Sequence, residues 1–133
     1  MGCWQVFRMG PASNPAFTIL GRLRSVRFAL AGIAFMLRTQ HNAWLHLAAT
    51  VLVIGAGIAL RISAADWRWL VVALVLVWVS EAVNTAFEHL CDVVSPQFHA
   101  SVKVSKDIAA GAVLIAALGA AVLGAMIFLP YLR

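Results

Sequence analysis

Trp69-Leu-Val-Val-Ala-Leu-Val-Leu-Val-Trp-Val79 runs without a break into Ser80-Glu81-Ala-Val-Asn84-Thr-Ala-Phe-Glu88, and the join between these two stretches decides the fold. The first stretch is strongly apolar, the composition of a helix surrounded by hydrocarbon, but it is too short to cross a bilayer, which takes about 20 helical residues. The helix must therefore continue through Ser80, Glu81, Asn84 and Glu88, and carboxylates enter the membrane region with it.

Two further spans flank this one. Ala43 to Leu60 is apolar apart from His46 and Thr50, and Ile108 to Leu129 is uncharged and ends at Pro130; each reaches bilayer length with its flanking turns. Between the first and second spans, Arg61 to Arg68 reads as a short polar connection whose Trp67, together with Trp69, suits the membrane interface, so these spans form a tight hairpin. Cys91 to Ser105, with Asp92, Ser95-Pro96, His99 and Lys103, reads as a polar loop before the third span. Upstream, Leu20, Leu23, Val26, Phe28, Leu30, Ile33 and Leu37 alternate with arginines at helical intervals, which predicts an amphipathic helix on the membrane surface. No small-residue cleavage pattern follows ahead of a polar domain, so a secretory signal peptide is not expected. Gly10-Pro11 and Asn14-Pro15 break any earlier helix. The expected architecture is an all-α membrane protein: a loose tail over 1–16, then one domain over 17–133 with a surface helix at 17–38 and spans near 43–60, 69–90 and 107–129.

Composition agrees. Of 133 residues, 63% are hydrophobic and 11% charged, with a mean hydropathy of +0.93; so small a soluble domain has little interior in which to hide all-round apolar helices. The net charge of +5 does not point to nucleic acid, because the basic residues sit on no polar domain able to present a groove-reading element. Seven of the ten lysines and arginines fall on the N-terminal arm or at Lys103 and Lys106, against Arg61, Arg68 and Arg133 on the other side. That asymmetry places the N-terminus and the 91–107 connection in the cytoplasm. Cys3 and Cys91 form neither a disulfide framework nor a metal spacing.

On a helix, Glu81, Asn84, Glu88 and Asp92 share one stripe that descends toward the cytoplasmic side. A carboxylate at the bilayer centre costs about 2.5–3.5 kcal/mol on insertion scales, so Glu81 calls for a reason: ion binding, proton movement or chemistry. A structural alternative is pairing with an arginine of the surface helix or a hydrogen bond to Asn84. A short connection brings Lys106-Asp107 near Glu88 and Asp92. Carboxylates to hold a divalent ion, a lysine to neutralise phosphate and a carboxylate to accept a hydroxyl proton are the parts of phosphoryl transfer, yet no GxxxxGK[ST] or GxGxxG loop is present. An ion- or proton-translocating subunit with Glu81 as carrier fits the same stripe but leaves the Lys-Asp pair unexplained. His41, His46 and His89 have no metal-ligand spacing and are expected to be structural. The small residues of span three, among them Gly111, Ala116, Gly119, Ala120 and Gly124, suit close helix packing.

Glu81-Ala-Val-Asn84-Thr-Ala-Phe-Glu88-His-Leu-Cys-Asp92, followed by His99 and by Lys106-Asp107-Ile-Ala-Ala-Gly-Ala-Val, closely resembles the signature of the prokaryotic diacylglycerol and undecaprenol kinases. The resemblance extends upstream through Phe28-Ala-Leu-Ala-Gly32-Ile and His41-Asn-Ala-Trp-Leu-His46. It implies a homotrimer in the bacterial inner membrane that transfers the γ-phosphate of ATP, with Mg²⁺, to the hydroxyl of diacylglycerol or undecaprenol. By motif position, Glu81 would be the general base and contact the lipid, Asn84 would position it, and Glu88 would hold the ion. Lys106, Asp107, Gln97, Phe98, His99 and Phe28 would line the nucleotide, and Arg22 and Ala110 the lipid. Many members carry a glutamate where this chain has Gln40; an amide oxygen is a legitimate but weaker ligand, so Gln40 is expected to share the ion and ATP contacts with reduced metal affinity. A catalytically weakened scaffold of the same family is the alternative that this departure raises.

Overall fold

The computed structural model describes residues 18–133, which form four α-helices and a closing 3₁₀ turn, with no strand among the described residues. The expected tail over 1–16, and Phe17 with it, lies outside the described residues. Helix α1 covers Ile19–Thr39, α2 His41–Ala59, α3 Ala64–Val94 and α4 Ala100–Phe128, with the 3₁₀ turn at Leu129–Leu132. By internal contacts the chain forms two units, one ending at Ala31 and one from Gly32 to Arg133. In the first, Thr18 caps α1, its Oγ1 accepting from Gly21 N at 3.2 Å.

The second unit carries three helices long and apolar enough to cross a membrane. At 1.5 Å per residue, α2 reaches about 28 Å and α3 about 46 Å, so α3 outruns a hydrocarbon core of about 30 Å. Their outward faces bear large apolar side chains such as Leu52, Val72, Leu76, Ile115 and Val122, as lipid contact requires.

Both connections are shorter than their polarity suggests. Helix α3 continues through Cys91 and Asp92 to Val94, and α4 begins at Ala100, so the loop expected over 91–105 shrinks to Ser95–His99. A helix satisfies its own backbone whatever its side chains; polarity here marks where it leaves the hydrocarbon, not where it stops. Ser95-Pro96 stops it, and His99 caps α4, its Nδ1 accepting from Ser101 N at 3.3 Å. At the other end α2 closes with a Schellman pattern, Ile62 N donating to Gly57 O at 3.1 Å and Arg61 N to Ile58 O at 3.2 Å, with Arg61 in the left-handed region at φ 52°. Ser63 then caps α3, its Oγ accepting from Asp66 N at 3.2 Å.

That end is also where the apolar cluster sits: Ile62, Leu70 and Ile127, with Val53, Leu60, Trp67, Leu123, Phe128 and Tyr131 against them. Tyr131 Oη donates to Asp66 Oδ2 at 2.6 Å and accepts from Ser63 N at 2.9 Å, tying the end of α4 to the α2–α3 turn. Trp67, expected as an interfacial anchor, packs over Gly57. A methyl at 57 would sit 3.0 Å from two carbons of its ring and 3.1 Å from Ile62 Cδ1. Gly57→Ala is therefore expected to destabilise the protein by roughly 1–2 kcal/mol through overpacking, read as a lower unfolding midpoint in detergent.

Candidate active site

The opposite half of α3 is polar inside. Helices α2 and α3 meet along a seam in which Ala43, fully buried, His46, Thr50, Val53 and Gly57 fall at alternating three- and four-residue spacing on α2. Facing them on α3, Glu81 is 1% exposed and Asn84 and Thr85 are buried; Glu88 is half-buried and Asp92 exposed. The stripe expected from the sequence is thus graded, from an enclosed carboxylate to an open one about 16 Å along the helix.

Among the described residues, Asn84 does not bond Glu81, and the ion pair recorded for Glu81 is with His46 rather than with an arginine. His46 Nε2 lies 3.7 Å from Glu81 Oε2, and Asn84 turns its amide the other way, Nδ2 donating to Glu88 Oε1 at 3.2 Å. His46 Nε2, Glu81 Oε2, Asn84 Oδ1 and Thr85 Oγ1 are buried with no hydrogen-bond partner among the described residues. Each such atom costs about 1–3 kcal/mol, and gathering them on facing turns of two helices marks a site built for something other than stability.

A cavity of about 240 Å³ opens beside them, lined by Asn42, His46, Asn84, Glu88 and, from α4, Ala110 and Val113. Asn84 also borders an apolar groove of about 900 Å³ between α3 and α4, where Val72, Leu76, Ala112, Gly119 and Met126 are exposed. Polar cavity and apolar groove therefore meet at one side chain, one turn from Glu81.

Further toward the α3–α4 loop, Lys106 Nζ donates to Asp92 Oδ1 at 2.9 Å and Lys103 Nζ to Asp107 Oδ2 at 2.6 Å. A second cavity of about 380 Å³ gathers Asp92, Gln97, Phe98, His99, Lys103, Lys106 and Asp107. This brings together five of the residues expected around the nucleotide. Gln40 sits in extended conformation between α1 and α2 and its side chain makes no capping bond. Arg22 and Phe28 belong to the unit ending at Ala31 and are described only as part of α1.

Among the described residues no three His, Cys, Asp or Glu side chains converge on a metal position. Glu88, with one oxygen engaged by Asn84, is a hard-oxygen donor at the cavity wall. Such a set suits Mg²⁺ carried on triphosphate oxygens, the way that ion is commonly held.

Sequence reasoning set His46 aside as a structural histidine. An ionisable side chain inside one span calls for a partner in another, but which partner it meets depends on how α2 and α3 come into register. Lys103 was likewise left in a loop, although it lies one helical turn from Asp107.

The sequence model of prokaryotic diacylglycerol kinase matches residues 27–128. Over 109 residues the chain is 39% identical to a diacylglycerol kinase of Synechocystis sp., covering 81% of this chain and 62% of that protein. It is 35% identical over 101 residues to an undecaprenol kinase of Bacillus subtilis, covering 76% of this chain and 82% of that protein. The chain thus spans less than two thirds of the Synechocystis relative's length.

Proposed function

The chain belongs to the prokaryotic diacylglycerol kinase family, and on that premise we propose that it transfers the γ-phosphate of ATP to the hydroxyl of a membrane lipid, diacylglycerol or undecaprenol. The observation that carries this reading is a buried carboxylate, Glu81, one helical turn from Asn84, where an apolar groove meets a polar cavity. A lipid chain lying in the groove would present its head group to that point.

In the proposed step the lipid hydroxyl oxygen attacks the γ-phosphorus in line, the bond from that phosphorus to the β,γ-bridging oxygen breaks, and ADP leaves. The hydroxyl proton passes to Glu81. Asn84, by engaging Glu88, keeps the two carboxylates on one face in distinct roles. Lys106 and the residues around it would hold the phosphates and the base. Mg²⁺, when bound, would spread the charge that develops on the phosphate oxygens; Glu88 and Gln40 are the residues that would hold it. The homotrimer, and an active site facing the cytoplasm, belong to the same proposal and rest on the resemblance and the distribution of basic residues.

The test is whether ADP release by purified protein in mixed micelles depends on added acceptor. Release that requires diacylglycerol or undecaprenol supports the reading; ATP turnover indifferent to both contradicts it. Gln40→Glu adds a second carboxylate to the ion's donor set and is expected to lower the Mg²⁺ concentration for half-maximal rate by about tenfold, or about 1.4 kcal/mol. A Gln40→Glu protein that gains activity from a near-zero wild type would instead identify a family member weakened at this position.

A further inference from the structure

We propose that His46 is a positioning residue for Glu81, its Nε2–H holding one carboxylate oxygen so that the other faces the acceptor hydroxyl; this rests on the kinase reading above. The two residues lie on different helices, 16% and 1% exposed, with Nε2 and Oε2 3.7 Å apart. Both atoms are buried and without a hydrogen bond among the described residues. A closure of roughly 0.8 Å would bring them to an ordinary N–H···O distance and satisfy both. Contacts of catalytic groups are often this long before substrate binds and tighten afterwards.

The ring is held from behind. Trp78 meets it edge-on, centroids 6.4 Å apart and planes at 67°. Trp78 is itself fixed, its Nε1 donating to Thr50 Oγ1 at 3.0 Å, while the Thr50 hydroxyl donates to the carbonyl of His46 at 2.7 Å. The imidazole and the indole beside it are thus tied to the same turn of α2. Asn84 directs its amide nitrogen to Glu88 rather than to Glu81.

Orientation matters for a base that must accept a proton along the axis of attack. A carboxylate free to rotate about its last bonds spends most of its time misaligned, and misplacement of about 1 Å can cost 10²-fold in rate. Fixing one oxygen removes that freedom while leaving the other lone pairs available. His46 on this account never touches the substrate.

The experiment compares His46→Leu and His46→Gln with wild type in the mixed-micelle assay. Leucine keeps the apolar volume and removes the donor; glutamine places an amide N–H near the position of Nε2. Positioning predicts that His46→Leu lowers kcat about 30-fold with KM for MgATP and lipid within twofold, and that His46→Gln recovers to within about threefold of wild type. A packing role predicts the reverse order, with leucine tolerated and glutamine harmful; that result would overturn the proposal. A second measurement needs no turnover: Glu81→Gln should move the ¹⁵Nε2 resonance of His46 and leave those of the exposed His41 and His99 in place. An unmoved His46 resonance would also overturn it. A wild type that transfers no phosphate but shows the His46 shift would defeat the kinase reading alone.

Discussion

Glu81→Gln is expected to lower kcat for lipid phosphorylation about 10³-fold, with the protein still folded and its affinity for MgATP nearly unchanged. The size follows from the role. A positioned general base contributes about 10²–10⁴-fold, so a loss of 10³ is about 4 kcal/mol of transition-state stabilisation. The specificity follows from the geometry. Glutamine has the shape of glutamate, so the seam between α2 and α3 keeps its packing, and an amide oxygen can still accept from His46 Nε2, 3.7 Å away. Removing a charge from a site 1% exposed relieves a desolvation cost. The variant should therefore unfold no earlier than wild type, and loss of activity through unfolding would contradict the assignment. The proposed nucleotide contacts lie more than one turn away, around Lys106 and Asp92, which is why KM for MgATP should hold.

Glu88→Gln is expected to act on the ion instead. It should lower kcat/KM for MgATP about 10²-fold and raise the Mg²⁺ requirement, in part recoverable with excess Mg²⁺. On the proposed reading Glu88 is the carboxylate that carries the protein's charge toward the ion. The hydrogen bond from Asn84 Nδ2 to Glu88 Oε1, 3.2 Å, can be remade to the glutamine carbonyl, so the geometry of the stripe should survive. The two variants are then told apart by magnesium: extra ion helps Glu88→Gln and does nothing for Glu81→Gln.

The fold was legible where one physical rule acts locally. Apolar stretches of bilayer length gave the three spans, and the shortness of Trp69–Val79 alone required a helix that carries Glu81 and Glu88 inward. Helix ends were harder. Cys91–Val94 and Ala100–Ser105 are helical although polar, because depth in the membrane and helicity are separate variables and the sequence displays the first more openly. Within the site, Glu81, Asn84 and Glu88 declare themselves through helical spacing on one element. His46 does not by itself name its partner, since its meeting with Glu81 depends on the register of α2 against α3. The tie between Trp78 and Thr50 was hidden for the same reason. Lys103 and Asp107 required only that α4 be started early enough.

The measurement that bears most directly on the central claim is transfer of label from γ-³²P ATP into lipid, with diacylglycerol and undecaprenol offered separately to purified protein in mixed micelles with Mg²⁺. The account predicts labelled phosphatidic acid or undecaprenyl phosphate from wild type and near-background label from Glu81→Gln. Folded wild-type protein that labels neither lipid, while liposomes containing it pass protons or ions without ATP, would contradict it and make Glu81 a carrier.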